Sequence, residues 1–476
     1  MSLSKKTGLL LGPLLFLVIV NLPFVLVSEK GDAVVAVAIW MIIWWITETV
    51  NIAVTALLPL VLFPLLKVMD IADVGANYGS PIIFLFFGGF VLALALEKVN
   101  LHKRIALNII RLTGTTPNKV VLGFMIATAF MSMWISNTAS TVVMLPIAIS
   151  VIKLLIDDKD GFTKGDKNFA LSIMLGIAFS ANAGGIATVI GTPPNSVLIG
   201  LLENQYNIEI SFLKWMSFGL PFSIVMVGLS YVVLVKWMFP CNHINFSSSS
   251  SLISEEIQQL GKITKDEKRV LTIFAITVFL WVTRTIINAI FPGLKLSDTG
   301  ISLMAAISLF AIPLSFKKGT FILKWNDTEK LAWGILILFG GGLALAKGMA
   351  TSGLVDLITD TIATGNFNVV LTVSLLIVLM LFMTELMSNV ALVSVLAPVV
   401  AGIAVGLNIP ILNVLIPVTM ASSCAFMLPM ATPPNAIVFA SGYVKVSQMA
   451  RVGIILNVLA VALLILYYQF VIPYVI

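Results

Sequence analysis

Two short polar motifs interrupt long apolar stretches of this sequence, and their side chains are of the kinds that bind ions. The first is Ser-Asn-Thr at 136–138 and the second is Ser-Asn-Val at 388–390. Hydroxyl and amide groups are neutral ligands, which suit a small oxygen-rich anion together with a hard cation. The same residue types also form hydrogen bonds between packed membrane helices, so one motif alone does not separate a binding site from helix packing.

A second pair of motifs, Thr-Pro-Pro-Asn at 192–195 and at 432–435, follows the polar motifs along the chain. Two successive prolines remove two N–H donors and clash with the preceding turn, so an unbroken helix is not expected there. In transporters, broken helices bind coupling ions and substrate near the centre of the membrane, through half-helix N-termini and unwound carbonyl groups. The four motifs together therefore predict a binding site formed by interrupted membrane helices.

The motifs recur in the same order in the two halves of the chain, which indicates an internal repeat. The Gly-rich segments at 86–95 and 338–347 are offset by 252 residues, as are the two Ser-Asn motifs. The offset between the Thr-Pro-Pro-Asn motifs is 240 residues, because the first half carries an additional charged loop. The predicted organisation is an N-terminal helix outside the repeat at 1–32, a first repeat at 33–239, an exposed linker at 240–269 and a second repeat at 270–476.

The composition of the 476-residue chain is that of a polytopic membrane protein. Hydrophobic residues make up 59% of it and charged residues 11%, whereas soluble domains carry about 25% charged residues. Apolar stretches near the length needed to cross a hydrocarbon core of about 30 Å recur throughout, and we predict an all-α fold with about eleven transmembrane helices. The net charge of +6 fits anionic lipid headgroups and positive cytoplasmic loops, and it requires no nucleic acid partner.

The orientation of the two halves and the positions of two re-entrant hairpins are further expectations. With one helix outside the repeat, each half has an odd number of crossings, so the halves are inverted relative to each other. The apolar runs after the Gly-rich motifs reach Glu97 and Lys347 before they are long enough to cross. We therefore expect a hairpin at each Gly-rich motif. The alternative is that the small residues only let helices pack closely.

The sequence gives little support for an enzyme. It has no cluster of His, Cys or carboxylates with metal-ligand spacing and no phosphate-binding loop, so neither a cofactor nor ATP hydrolysis is expected. Three ionisable residues, Glu48, Arg284 and Glu385, lie within or beside apolar stretches, and the first two occupy equivalent positions of the repeat. Such residues are candidates for function, because a charged group is costly to keep inside a membrane.

The motifs with their neighbours, "SMWISNTAS", "GTPPN", "TELMSNVA" and "PMATPPNA", resemble the signatures of the divalent anion/sodium symporter family. That family includes bacterial INDY-type dicarboxylate carriers and animal sodium–citrate and sodium–dicarboxylate cotransporters. The resemblance runs from about residue 40 to residue 445. It implies an inverted-repeat homodimer with eleven transmembrane helices and two hairpins in each protomer. It also implies a scaffold domain and a transport domain that carries substrate by an elevator motion.

The resemblance further implies roles for individual residues. Those that would contact the substrate carboxylates are Ser136, Asn137, Thr138, Ser388, Asn389, Val390, Thr432 and Pro433. A first site for the coupling ion Na⁺ would use Ser132, Ser136, Asn137 and Gly191. A second would use Thr384, Asn389 and the backbone carbonyl groups of Met387 and Ala431. Some dicarboxylate carriers have Thr at the position of Val390, so a preference among dicarboxylates or toward citrate-like substrates is left open.

The resulting prediction is a multi-pass protein of the cell membrane that moves small dicarboxylate anions by secondary active transport. Succinate, malate and fumarate are the expected substrates, and 2-oxoglutarate is a further candidate. Symport with Na⁺ and exchange of one dicarboxylate for another both remain open. The alternative is an anion channel, although the rings of like charge that a charge-selective pore requires are not evident in the sequence.

Overall fold

The structure is a computed structural model that describes residues 3–21, 27–114, 116–156, 163–241, 255–315 and 320–475. Within these ranges the chain is almost entirely helical. Sheet structure in the same ranges is limited to one small antiparallel hairpin of β1 (Pro313–Ser315) and β2 (Thr320–Phe321).

The helices of the two halves follow one another in a similar order. In the first half they are α1 (Leu3–Val20), α2 (Glu29–Thr47), α3 (Ile52–Thr55), α4 (Leu58–Leu65), α5 (Ile71–Tyr78), α6 (Pro81–Lys98), α7 (Leu101–Thr113), α8 (Pro117–Ser132), α9 (Asn137–Ile156), α10 (Lys164–Gly185), α11 (Pro193–Tyr206) and α12 (Phe212–Tyr231), which continues as a π-helical segment (Val232–Met238). In the second half they are α13 (Lys265–Ile290), α14 (Asp298–Ala311), a 3₁₀ segment (Trp325–Lys330), α15 (Trp333–Thr351), α16 (Leu354–Thr364), α17 (Val369–Thr384), α18 (Asn389–Gly406), α19 (Ile411–Ser422), α20 (Pro433–Ala440), α21 (Val446–Phe470) and α22 (Ile472–Val475).

Local sequence signals explain where many of these helices begin. Thr163 caps α10 and Thr264 caps α13, and in both cases an acidic residue three positions later completes a capping box. Proline occupies the first position of α6, α8, α11 and α20, where a missing N–H group leaves no helical hydrogen bond unmade. The double prolines therefore break a helix and begin the next one, as expected from the sequence.

The number and order of the helices confirm the predicted class of fold. Seven of the described helical segments are long and apolar enough to cross a membrane, and five shorter apolar helices accompany them. The opposite orientation of the two halves in the membrane stays a prediction, because it depends on which of these helices cross it.

The two hairpins lie at the Ser-Asn motifs and not at the Gly-rich motifs, so the predicted position of the hairpins was wrong. Gly88 and Gly341 lie within the continuous helices α6 and α15. A Cβ atom at Gly341 would lie 2.3 Å from the carbonyl oxygen of Ala56, and one at Gly88 would lie 2.7 Å from the carbonyl carbon of Ser302. The glycines thus let helices pack closely, while α8–α9 and α17–α18 form the hairpins.

The broken helix α10–α11 occupies the centre of the protein. Every residue of α10 from Phe169 to Gly185 is buried, and this helix packs against α8, α9, α12 and α20. By contrast, α13 exposes large apolar side chains such as Phe279 and Ile286. The end of α10, where the helix breaks, is therefore held deep inside the protein by its neighbours from both halves.

Candidate functional site

A cavity of about 700 Å³ lies where the two hairpin turns meet the two helix breaks. All eight residues predicted to contact substrate line it, namely Ser136, Asn137, Thr138, Ser388, Asn389, Val390, Thr432 and Pro433. Thr192 of the other double-proline motif lines it as well. The structure therefore brings together four motifs whose equivalent copies are 240 or 252 residues apart in the chain.

Four helices begin at the wall of this cavity. The first residues of α9, α11, α18 and α20 are Asn137, Pro193, Asn389 and Pro433, and all four line the cavity. A helix N-terminus carries unpaired N–H groups and a partial positive charge of about half a unit. Four such termini around one cavity favour an anion there without a fixed Lys or Arg side chain.

The first half supplies a cluster of oxygen atoms beside the cavity. The Ser132 Oγ atom lies 2.6 Å from Asn137 Oδ1 and donates to the Ala181 carbonyl oxygen at 2.7 Å. When the Asn137 amide is turned round, its nitrogen lies 3.2 Å from the Ala181 carbonyl oxygen and 3.3 Å from that of Gly191. One hydroxyl and two carbonyl oxygens thus surround the Asn137 amide, which is a set of neutral hard ligands that suits Na⁺.

The second half repeats this cluster almost atom for atom. The Thr384 Oγ1 atom donates to Asn389 Oδ1 at 2.6 Å and lies 2.7 Å from the Ser422 carbonyl oxygen. In both clusters a hydroxyl ends the first helix of the hairpin, an Asn begins the second helix, and a carbonyl comes from the end of a broken helix. Met387 and Ala431, which complete the predicted second sodium site, line the same cavity.

The asparagines of the Thr-Pro-Pro-Asn motifs hold the helix breaks in shape. The Asn195 amide donates to the carbonyl oxygens of Thr188 at 2.8 Å and Gly185 at 3.2 Å. The Asn435 amide donates to those of Ala425 and Leu428, both at 3.1 Å. Each Asn is fully buried, so it pairs carbonyl groups that the broken helix would otherwise leave unsatisfied.

Asn182 is a residue of the site that sequence analysis missed. It lies in α10, and its amide donates to Thr432 Oγ1 at 3.0 Å and to the Ala425 carbonyl oxygen at 3.2 Å. The central helix of the first half therefore fixes the break of the second half. The sequence did contain a signal for Asn182, because an amide side chain inside a long apolar helix must find a hydrogen-bond partner.

The carbonyl groups of Ala181 and Ser422 were also missed, and here no sequence signal was available. Every residue type offers the same backbone carbonyl group, so a carbonyl ligand cannot be recognised from composition or spacing.

Ser136 was predicted to contribute to the first sodium site as well as to substrate binding. Its Oγ accepts from the Ala139 N–H at 3.2 Å, and it lines the cavity.

Glu385 stabilises the second helix break with its charge. Its carboxylate is 3% exposed and accepts hydrogen bonds from the N–H groups of Phe426 at 2.8 Å, Met427 at 2.9 Å and Leu428 at 3.1 Å. The Asn457 amide donates a fourth at 2.8 Å. Hydrogen bonds of this kind are the ordinary compensation for a buried carboxylate.

The other two ionisable candidates lie in different surroundings. Arg284 pairs with Glu209 at 2.8 Å and with Asp298 at 3.2 Å, and it does not line the cavity. Glu48 does line the cavity.

A second, smaller cavity of about 290 Å³ adjoins the central one. The two share Ser136 and other residues, and the wall of the smaller cavity also contains Glu97 and Lys330.

The apolar helices, the paired hairpins and the cavity lined by their polar motifs fit a multi-pass membrane transporter. The sequence profile described as "Sodium:sulfate symporter transmembrane region" matches residues 3–473. The chain belongs to this family, which confirms the resemblance drawn from the motifs, and it is a protein of the cell membrane.

Named relatives cover nearly the whole chain. It is 40% identical over 480 residues to the sodium-dependent dicarboxylate transporter SdcS of Staphylococcus saprophyticus, covering 99% of this chain and 92% of that protein. A transporter of the same name from Staphylococcus aureus strain USA300 is 40% identical over 483 residues with the same coverage.

Two solved structures share the fold. The YdaH transporter of Alcanivorax borkumensis aligns with a TM-score of 0.58 and 12% identity over 83% of this chain and 87% of that one. The MtrF structure of Neisseria gonorrhoeae, whose description mentions antimetabolite efflux pumps, aligns with a TM-score of 0.54 and 13% identity over 84% of both chains. At these identities the likeness concerns the fold alone.

Proposed function

We propose that this protein is a secondary active transporter that carries C4-dicarboxylates, such as succinate, malate and fumarate, together with Na⁺. The observation that carries the proposal is the duplicated cluster of one hydroxyl, one Asn side-chain amide and backbone carbonyl oxygens beside one cavity. Two such clusters suit two Na⁺ ions, because hard cations prefer oxygen ligands. The names of the two relatives, sodium-dependent dicarboxylate transporters, support the same proposal.

The charge of the cavity wall favours cotransport with cations. None of the described residues that line the cavity is Lys, Arg or His. A dicarboxylate bound there would have its two charges balanced only by helix N-termini, and an uncompensated charge away from water is costly. Two bound Na⁺ ions would supply the missing positive charge. Anion and cations would then bind better together than apart, which is the coupling that symport requires.

The two hairpin turns offer one binding position for each carboxylate of the substrate. In the proposal the groups of 136–138 hold one carboxylate and those of 388–390 hold the other, with Thr432 and Pro433 at the second helix break. Thr138 provides a hydroxyl where Val390 provides two methyl groups, so the two positions are not equivalent. Val390 would thus favour a substrate that is less polar at that end.

The internal repeat suggests how the substrate crosses the membrane. We propose that the hairpins, the broken helices and the helices α12 and α21 that follow them move together as a transport domain against a scaffold formed by the remaining helices of the repeats 33–239 and 270–476. The segments 1–32 and 240–269 lie outside the repeats. The scaffold would join two protomers into a homodimer, and exposed apolar side chains such as Phe279 would face lipid or the partner.

Transport assays with purified protein in liposomes test the function directly. We expect uptake of labelled succinate under an inward Na⁺ gradient and little uptake when K⁺ replaces Na⁺. Uptake that instead requires internal dicarboxylate and ignores Na⁺ would show exchange, whereas conductive uptake without trans-stimulation would show a channel. No uptake under either condition would contradict the proposed substrate class.

Substitution of the two hairpin asparagines tests the site. Asn137→Ala and Asn389→Ala should each abolish succinate uptake, because each amide belongs to both an ion cluster and the cavity wall. Asn108→Ala is the matched control, since the partner of that amide among the described residues is the Arg104 carbonyl of its own helix. Normal uptake by both hairpin variants would show that the site assignment is wrong.

A further inference from the structure

Glu48 places a carboxylate on the wall of a cavity that is proposed to hold an anion. The residue follows the last residue of α2, and it is exposed. Among the described residues that line the cavity, it is the only one with a charged side chain. The ion pairs of the described chain do not include it, and neither does any hydrogen bond found there between side chains or to a side chain.

The backbone at Glu48 is held in an unusual conformation. Its φ of 45° and ψ of 40° lie in the left-handed region, which non-glycine residues adopt uncommonly. The flanking residues are fixed on both sides, because Trp45 Nε1 donates to the Ile52 carbonyl oxygen at 3.1 Å and the hydroxyls of Thr47 and Thr49 lie 2.7 Å apart. A left-handed residue is a common way to end a helix, and here these contacts fix the backbone from which the Glu48 side chain reaches the cavity wall.

The repeat does not account for this carboxylate. The equivalent residue of the second half, Arg284, is 8% exposed and is paired with two acidic residues. Glu48 is exposed, carries the opposite charge and has no ion pair with any residue that the structure describes. Helix packing would therefore be served equally well by a neutral residue at this position, and the charge itself requires an explanation.

We propose that Glu48 is a specificity-determining residue that limits the cargo to anions with two carboxylates. This inference rests on the proposed function. The two hairpin turns provide for two carboxylates, so a third would remain free in the cavity that Glu48 lines. Like charges that share a partly enclosed space repel each other more strongly than in bulk water. Glu48 thus lowers the affinity for tricarboxylates and leaves dicarboxylates favoured.

Three inhibitors that share a five-carbon chain separate charge from size. Glutarate has two carboxylates, tricarballylate adds a third at the central carbon, and 3-methylglutarate adds a neutral methyl group at the same carbon. Their inhibition constants against labelled succinate uptake are measured at about pH 8, where all carboxyl groups are ionised. In the Glu48→Gln variant we expect the affinity for tricarballylate relative to glutarate to rise about tenfold. The relative affinity for 3-methylglutarate should stay at the wild-type value.

Three further variants control for charge position and folding. Glu48→Asp retains the charge and should retain the wild-type ratio. Glu29→Gln removes an exposed carboxylate from the first turn of the same helix and should also leave the ratio unchanged. Glu48→Asn removes the charge with a residue that tolerates the left-handed conformation, so it provides a second neutral variant if Glu48→Gln is poorly folded.

The possible outcomes distinguish this inference from the proposed function. If wild-type protein transports no succinate, the proposed substrate class is wrong. The inference about Glu48 rests on that class and would then be wrong as well. If succinate is transported but the tricarballylate ratio is the same in the wild type and the neutral variants, Glu48 does not select by charge. An equal rise for tricarballylate and 3-methylglutarate would show that Glu48 restricts space, which would also overturn the inference.

Discussion

Each half of the proposed binding site is organised by one hydroxyl group. Ser132 and Thr384 end the first helix of their hairpins, and each contacts the Asn that begins the second helix and a carbonyl of a broken helix. These hydroxyls are fully buried, so they have no access to water as an alternative partner. Their loss would leave an Asn and a carbonyl without a partner, and would remove one ligand from each proposed ion cluster.

Removal of the Thr384 hydroxyl should weaken Na⁺ binding without altering the shape of the side chain. For Thr384→Val we expect the Na⁺ concentration at half-maximal uptake to rise about tenfold, since a polar contact to a charged group is worth about 1.5–3 kcal/mol. Thr128→Val is the matched control, because that buried hydroxyl bonds to the Phe124 carbonyl of its own helix. Equal Na⁺ dependence in both variants would remove Thr384 from the proposed ion site.

At the scale of helices, the glycines of α15 each accommodate a different neighbour. A Cβ atom at Gly340 would meet the Tyr78 ring, one at Gly341 the Ala56 backbone and one at Gly342 the Ser394 side chain. The motif therefore brings α15 close to three other elements at once. This packing holds the helix beside α18, whose first residues form the wall of the cavity.

The glycine contacts predict opposite effects of two alanine substitutions. Gly341→Ala should lower the free energy of unfolding by about 1–3 kcal/mol, because the new Cβ would lie 2.3 Å from a backbone oxygen that cannot move alone. Gly228→Ala in α12 should be neutral or slightly stabilising, because a Cβ atom there would have no neighbour within 4 Å among the described residues and alanine favours the helix. Thermal unfolding in detergent measures both, and equal midpoints would contradict this explanation.

The sequence was sufficient to predict the helical fold and the residues that line the cavity, but not the position of the hairpins. Polar side chains within an apolar run are conspicuous, and their recurrence at one offset identified 136–138 and 388–390. Glycines are ambiguous, because the same residue permits a turn and a close helix contact, and only the packing partner separates the two. Asn182 was overlooked for a related reason, since its partners come from the other half.

At the scale of the whole molecule, the two proposed domains touch at the end of α11. Asn204 of α11 donates to Ser80, which precedes α6, at 3.0 Å. Close by in the chain, Glu209 pairs with Arg284 of α13 at 2.8 Å, and the Phe212 N–H of α12 donates to Asp298 of α14 at 2.8 Å. Because the Glu209 side chain is 67% exposed, its pair contributes at most about 1 kcal/mol. In the elevator proposal these contacts break when α11 and α12 move against α6, α13 and α14.

A cross-link between the two proposed domains should therefore stop transport. In protein that lacks Cys241 and Cys424, the double variant Ser80→Cys and Asn204→Cys places two thiols where a hydrogen bond joins the side chains. We expect Hg²⁺ to join these thiols and abolish succinate uptake, and a reducing thiol to restore it.

The control is a protein in which Cys424 is replaced and Ser172→Cys is linked to the native Cys241, whose sulfur lies 3.9 Å from Ser172 Oγ. Both residues of the control lie on the transport-domain side, within α10 and after α12, so this link should leave uptake intact. Uptake that persists when the first pair is fully cross-linked would show that α11 and α6 do not move apart, and the elevator proposal would then be wrong.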